Sequence, residues 1–301
     1  MNHPPPLFIL GSPRSFTSIV CAVLGQHPQA YGTPELNLFV EDDVQELWAR
    51  LSGRRQFMIH GILRMVAQLY GGEQDTLTID MARRWLLRRL ASSTAEVYQE
   101  LCEKVAPLRI IDKSPVYPTS PRNLNRIHAA FPDAHYLHLV RHPRTQGESV
   151  MKLSGGMFAI MADSFDYETL PPTLDPQISW LSVQQNINRF LEHIPPEQQM
   201  RMRGEDFLKN LEQNLTACCQ WLGLSVDPSA MEAMRHPEAS PYAVEGPFGA
   251  RLGNDINFLH SPKLRDTKVP NAFLDGPLPW RPDCRGLKQE VVELARSFGY
   301  Q

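Results

Sequence analysis

Short apolar runs alternate with stretches of helical periodicity along most of the chain. Residues 7–10, 108–111 and 135–140 are four- to six-residue runs of largely apolar character, the pattern of strands buried on both faces of a parallel sheet. Residues 200–203 form a fourth candidate strand, more charged than the others. Between them apolar positions recur every three or four residues. Ile19, Val20, Val23 and Leu24 mark a first helix that stops at Gly25. After a turn at Tyr31-Gly32-Thr33-Pro34, helical periodicity runs over residues 42–70. Residues 78–104 read as one long helix whose apolar face holds Met81, Trp85, Leu86, Leu90, Val97 and Leu101, with Arg83, Arg84, Arg88 and Arg89 on a solvated face. Further helices are predicted near 121–131, 176–194, 211–222 and 286–298. Strands alternating with helices predict an α/β fold.

The first strand and helix enclose a turn of small residues, a proline and one cation, Gly11-Ser12-Pro13-Arg14-Ser15. A helix starting at Ser15 or Phe16 would offer free N–H groups and the positive end of its dipole to an anion. The hydroxyls of Ser15, Thr17 and Ser18 and the charge of Arg14 lie close by. A nucleotide-triphosphatase loop would need Gly-Lys-Ser/Thr, and this frame carries Phe16-Thr17-Ser18 instead. Pro-Arg-Ser without an obvious magnesium carboxylate suits a smaller anionic group that needs no metal.

Three other features bear chemistry. Residues 108–111 deliver Asp112-Lys113-Ser114-Pro115 to the strand end where ligands sit in open α/β sheets. Met-Ile-His60-Gly-Ile-Leu sets a histidine on an apolar helix face, either a hydrogen-bonded core residue or a base. Residues 154–175 hold Met157, Phe158, Ile160, Met161 and Phe165 between Gly- and Pro-rich edges, which suits a lid over an apolar ligand or a core-packing insertion.

Composition narrows the function classes. The 301 residues are 42% hydrophobic, enough for one large α/β domain. Thirty Lys and Arg against 33 Asp and Glu give a net charge of −3, so no overall basic field points to nucleic acid, and any anion site is local. Five cysteines (Cys21, Cys102, Cys218, Cys219, Cys284) show neither zinc-site nor disulfide spacing and read as buried thiols of a reducing compartment. Nowhere do about 18 apolar residues run together, and Met-Asn-His-Pro-Pro-Pro lacks a basic leader region, so no membrane span and a cytoplasmic location are expected.

Gly-Ser-Pro-Arg14-Ser15-Phe16-Thr17-Ser18 resembles the 5′-phosphosulfate loop of sulfotransferases that use 3′-phosphoadenosine 5′-phosphosulfate (PAPS). Phe16 departs from that family's usual Gly, which predicts a negative φ there and a pocket for the ring. Arg141-His142-Pro143 with Ser149 eight residues after the arginine resembles the family's 3′-phosphate signature. A guanidinium gives paired charged hydrogen bonds to phosphate and the hydroxyl adds a third. Ile-Asp-Lys113-Ser-Pro resembles the lysine-bearing strand end whose amine steadies the leaving oxygen. Pro-Glu35-Leu, His60 and its flanks, and Arg251 to Phe258 with Lys263 and Arg265 after it are similar to segments of the sulfotransferase domains of bacterial polyketide and olefin synthases. Glu35, 21 positions after Arg14, also sits where tyrosylprotein sulfotransferases place their base. Gly204-Glu-Asp-Phe resembles a Tyr-Glu-Asp-Leu segment with Gly204 in place of the tyrosine near the adenine.

The resemblance implies a P-loop-like single domain over residues 1–301, with a central parallel sheet of four to five strands flanked by helices. It implies transfer of a sulfuryl group from PAPS to an acceptor hydroxyl, leaving adenosine 3′,5′-bisphosphate, with no metal. Arg14 and Lys113 would be catalytic, with Glu35 or His60 as base. Arg14, Ser15, Phe16, Thr17, Ser18, Arg141, Ser149, Gly253 and Asn257 would bind the nucleotide. The acceptor would be a small molecule or a carrier-bound chain, with a β-hydroxyacyl or other lipid-like alcohol favoured. A small-molecule kinase and an inactive nucleotide-binding module are the alternatives.

Overall fold

The computed structural model describes residues 3–264 and 272–301; Arg265 lies outside them. Its centre is a parallel sheet of five strands, β1 (Leu7–Leu10), β2 (Ala30–Gly32), β3 (Arg109–Asp112), β4 (His135–Val140) and β7 (Gln199–Arg203). Two further short strands, β5 (Phe165–Asp166) and β6 (Thr173–Leu174), make a separate antiparallel pair. The order across the sheet is β2-β3-β1-β4-β7, so the chain builds outward on both sides of β1. Leu7 pairs with Ile111 on one side and His135 on the other.

The apolar runs form strands because their alternate residues fill two different cores. Phe8 and Leu10 face a cluster containing Phe39, Tyr98, Tyr117, Phe131 and Tyr136. Leu7 and Ile9 face the other side, with Val20, Leu137, Leu139, Phe207 and Cys218. All four β1 side chains are at most 2% exposed, and each contributes about 1.5–3 kcal/mol of apolar burial.

Sequence expectation and structure part at several places. Residues 30–32, read as a turn, are an edge strand held by β3 through Ala30↔Arg109 and Gly32↔Ile111. Three residues ending in glycine are too short to show alternation. The long helix expected over 78–104 is two helices, Thr76–Leu87 and Thr94–Val105. Each opens with a capping box, Asp75 with Thr78 and Ser93 with Glu96, in which side chains satisfy the free N–H groups of the first turn. Periodicity over 42–70 likewise resolves into Val44–Arg50, a 3-10 stretch, His60–Val66 and a wider turn over Ala67–Gly71. Cys284 is exposed, against the expected burial, while the other four cysteines are buried thiols.

Arg281 lies in a buried ionic cluster with Asp166 at 2.6 Å, Asp175 at 2.8 Å and Asp283 at 2.6 Å. Trp280 Nε1 also donates to Asp175. This cluster ties both ends of the 166–175 segment to the C-terminal stretch. Among the described residues no helix is long and apolar enough to cross a membrane.

Candidate active site

All five strands of the sheet end at the same edge, and each end leads directly into a residue singled out from the sequence. Beyond β1 lies the Gly11–Phe16 loop, beyond β2 Glu35, beyond β3 Lys113, beyond β4 Arg141 and beyond β7 Gly204. The order of strands places the β1 loop centrally, with Lys113 and Arg141 on the two flanking strand ends.

The loop is shaped for an anion. Arg14 (φ +69°) and Phe16 (φ +65°) both adopt left-handed backbone around Ser15, an alternation that turns successive N–H groups toward one side. The carbonyls are taken up on the other side: Gln146 Nε2 donates to Pro13 at 2.8 Å and Arg141 to Arg14 at 2.6 Å. Ser15 Oγ is fully buried with no hydrogen-bond partner among the described residues, which fits a phosphate-type oxygen in the loop. Behind it a hydrogen-bonded chain runs from Arg201 to His138, Gln184 and Ser12, with links of 3.0, 2.6 and 3.1 Å. Gln146 and Gln184 carry no motif in the sequence; their positions on helices beside the loop give them their role.

Phe16 does not keep the expected negative φ. Its left-handed backbone costs about 1–2 kcal/mol, and the ring is held from two sides. The Arg141 guanidinium sits 4.4 Å from the ring centroid, and Gly204 presents bare backbone to the ring edge. Arg141 is further fixed by Thr145 at 3.2 Å, and Trp180 Nε1 holds its carbonyl at 3.0 Å. Burial, with the charge of Arg14 nearby, pulls the Arg141 guanidinium down to about 10, still charged at neutral pH. Arg14 Nε donates to Ser149 Oγ at 3.1 Å and its guanidinium pairs with Asp255, a carboxylate that sequence reading did not single out.

Lys113 is 1% exposed. Its ammonium lies 2.6 Å from Glu35 Oε1 and 2.7 Å from Ser18 Oγ, so it joins the loop to the acidic residue beyond β2. Its neighbour Asp112 turns instead to the hydroxyls of Ser114 and Tyr117. The Glu35 backbone is clamped between two glycines: Glu35 N donates to Gly253 O at 2.7 Å, and a Cβ on Gly61 would fall 1.9 Å from Glu35 O. Gly253 (φ +103°) thus shapes the backbone next to Glu35 and lines the cavity there. His60 precedes Gly61; its Nδ1 accepts the Leu252 N–H at 3.3 Å. Burial, aided by Arg83 and Arg64, holds the imidazole down to about 4, so it is neutral at pH 7.

Three cavities with lining residues in common lie around these residues. One of ≈ 680 Å³ is lined by Arg141, Ser149, Lys152 and Asn257. A second, ≈ 210 Å³, lies between Arg14, Phe16, Thr17, Arg141 and Phe258. The third, ≈ 100 Å³, touches Glu35 and Ser18 and is walled by Phe57, Pro115, Leu153, Phe158, Leu252 and Ile256. Thr17 and Ser18 line both the second and the third. Among the described residues no three His, Cys, Asp or Glu side chains cluster as metal ligands.

The whole chain superposes on solved structures. It is similar to the sulfotransferase domain from the curacin biosynthetic pathway (25% identity, TM-score 0.81), covering 99% of this chain and 98% of that one. It shares its fold with the sulfotransferase domain from the Synechococcus PCC 7002 olefin synthase (23% identity, TM-score 0.74, covering 100% and 97%). None of the curated proteins matches it. The sequence profile described as a sulfotransferase family matches residues 5–228. A family match over residues 5–228, on an α/β fold with a five-stranded parallel sheet, makes this protein a sulfotransferase, a member of that family.

Proposed function

We propose that this sulfotransferase takes its sulfuryl group from PAPS and passes it to the hydroxyl of an apolar, lipid-like acceptor such as a β-hydroxyacyl chain on a carrier. Family membership implies PAPS as donor. The observation that carries the reading is the position of Lys113, in contact with both Ser18 beside the anion loop and Glu35. One ammonium thereby connects the phosphate-binding side of the site to the acidic side. In this reading the loop N–H groups, Ser15, Thr17 and Arg14 hold the 5′-phosphosulfate, while Arg141, Ser149 and Asn257 hold the 3′-phosphate. The acceptor oxygen bonds to sulfur as its proton passes to Glu35, and the bond from sulfur to the bridging oxygen breaks. The leaving oxygen, whose charge grows as that bond breaks, is steadied by Lys113. The product is adenosine 3′,5′-bisphosphate.

Glu35 is favoured over His60 as base by what surrounds each. Glu35 lines the apolar cavity, whereas His60 spends Nδ1 on the Leu252 amide, which leaves the ring proton on Nε2. The apolar wall beside Glu35, to which Phe158 of the 154–175 segment contributes, supports a lipid-like acceptor and a lid role for that segment over a single domain. Similarity to the curacin-pathway domain agrees with a biosynthetic acceptor. The test is incubation with PAPS and a 3-hydroxyacyl pantetheine thioester: the thioester gains the mass of one sulfuryl group. Transfer to phenols or sugars with none to the thioester would overturn the acceptor.

A further inference from the structure

Asp112 is fully buried at the end of β3, beside Lys113, and lines none of the three cavities described above. Both of its oxygens are engaged, each by a hydroxyl. Ser114 Oγ donates to Oδ1 at 2.9 Å and Tyr117 Oη to Oδ2 at 3.0 Å. Each hydroxyl in turn accepts a backbone N–H from the segment that follows Glu35: Asn37 N donates to Ser114 Oγ at 3.0 Å and Leu38 N to Tyr117 Oη at 3.2 Å. Two parallel relays therefore run from consecutive amides to one carboxylate. While ionised, the Asp112 carboxylate accepts from both hydroxyls at once and donates to neither, which fixes the direction of every hydrogen bond in both chains.

The segment they hold needs holding. Asn37 adopts a left-handed backbone (φ +54°), and its side chain is already committed to the Met58 carbonyl at 2.8 Å. Glu35 itself is anchored on the other side, through its N–H to Gly253. The carboxylate of Glu35 is thus presented from a backbone strapped at both ends, by Gly253 before it and by the Asp112 relays after it.

We propose that Asp112 is a positioning residue for Glu35: it acts through Ser114 and Tyr117 to fix the Asn37 and Leu38 amides, and so places the acidic group against the acceptor. This inference rests on the proposed role of Glu35 as base. Burial pushes the Asp112 carboxyl up to about 7, while the two hydroxyls and Lys113 pull the other way.

The experiment has two arms. In the first, amide hydrogen exchange is measured on the bisphosphate-saturated protein. Asp112→Asn, which puts a donor where a hydroxyl must donate, speeds exchange of the Asn37 and Leu38 amides at least tenfold while the β1 amides stay protected. Tyr117→Phe, which keeps the carboxylate, does the same at Leu38 and serves if the first variant fails to fold. Unchanged exchange at both amides overturns the relay. In the second arm, transfer to the 3-hydroxyacyl pantetheine thioester is followed in Asp112→Asn, Glu35→Gln and the double variant. Asp112→Asn lowers kcat more than tenfold in the wild-type background and less than twofold in the Glu35→Gln background, with bisphosphate affinity within twofold throughout. An equal loss in both backgrounds assigns Asp112 to Lys113 or to the fold at large and overturns the inference. The exchange arm needs no turnover, so a wild type that transfers nothing counts against the proposed reaction, and the relay is still upheld or overturned by the amides.

Discussion

The ring of Phe16 stands where a side chain on residue 204 would have to be: a Cβ on Gly204 would lie 2.5 Å from Phe16 Cδ2. The two positions are also the two departures from the sulfotransferase motifs, an aromatic ring where the loop usually has glycine and glycine where β7 usually leads into tyrosine. The structure makes them one exchange, with the ring moved from one side of the contact to the other and stacked beneath Arg141. Gly204→Ala therefore overpacks the site and costs about 1–3 kcal/mol of stability. In a Phe16→Gly background the same change costs under about 0.5 kcal/mol, because the clash is gone. Thermal unfolding of the four proteins in this cycle measures the coupling; additive losses would show that the two residues are independent.

Lys113→Ala removes the ammonium that the proposed reaction sets against the leaving oxygen. Turnover is expected to fall roughly 10²–10³-fold, the usual effect of removing one such group. Affinity for adenosine 3′,5′-bisphosphate stays within about tenfold, because the proposed reading gives most of the phosphate contacts to the loop and Arg141. Single-turnover transfer and a bisphosphate titration on the same variant separate the two effects, and undiminished turnover would remove Lys113 from the reaction.

Glu35→Gln keeps the shape of the proposed base and removes its proton acceptor. A loss of about 10²–10⁴-fold in kcat is expected, with bisphosphate binding retained. His60→Asn is expected to cost less than about tenfold, since the imidazole serves the Leu252 amide. A larger loss for His60→Asn than for Glu35→Gln would exchange their roles.

Much of this site is legible in the amino-acid sequence. Strand ends carrying Arg14, Lys113 and Arg141 stand out because buried apolar runs seldom stop on a cation without a use for it, and the structure brings all three to one sheet edge. The Ser93-x-x-Glu96 box that divides the expected long helix is equally visible there, but apolar periodicity on either side of it masks the break. Other features have no local signal. Asp255 reaches Arg14 from about 240 residues away, and Gln146 and Gln184 reach the Pro13 carbonyl and the Ser12 hydroxyl from more than 130 residues away. The φ of Phe16 depends on Gly204, a long-range partner that no local propensity contains.

Four histidines make the fold acid-sensitive. Burial first, and then neighbouring arginines, hold His60, His135 and His142 down to about 4; burial, with Arg201 nearby, holds His138 to about 3 although its bond to Gln184 pulls upward. As pH falls below about 6.5 the unfolded chain takes up protons that the folded chain refuses, so stability present above that value is lost on acidification. Asp112, raised to about 7, has the opposite sign: its contribution is complete below about 3.9 and is lost as pH rises. The exposed His236, raised by its bonds to Glu238 and Glu232, shares that sign, so two groups stand against four, and the four are the more deeply buried. The melting temperature is expected to drop from pH 7 to pH 5, and His138→Gln flattens the slope by up to about 1.4 kcal/mol per pH unit. A melting temperature that rises over that interval would contradict the assignment.

The most direct test of the account is a calorimetric titration of adenosine 3′,5′-bisphosphate in the absence of metal, with ATP and Mg²⁺ in comparison, on wild type and Arg141→Ala. The account predicts tight metal-free binding of the bisphosphate, preferred over ATP, and a loss of about 2 kcal/mol or more when the Arg141 guanidinium is removed from the phosphate. Preference for ATP with Mg²⁺, or bisphosphate binding indifferent to Arg141→Ala, would contradict it.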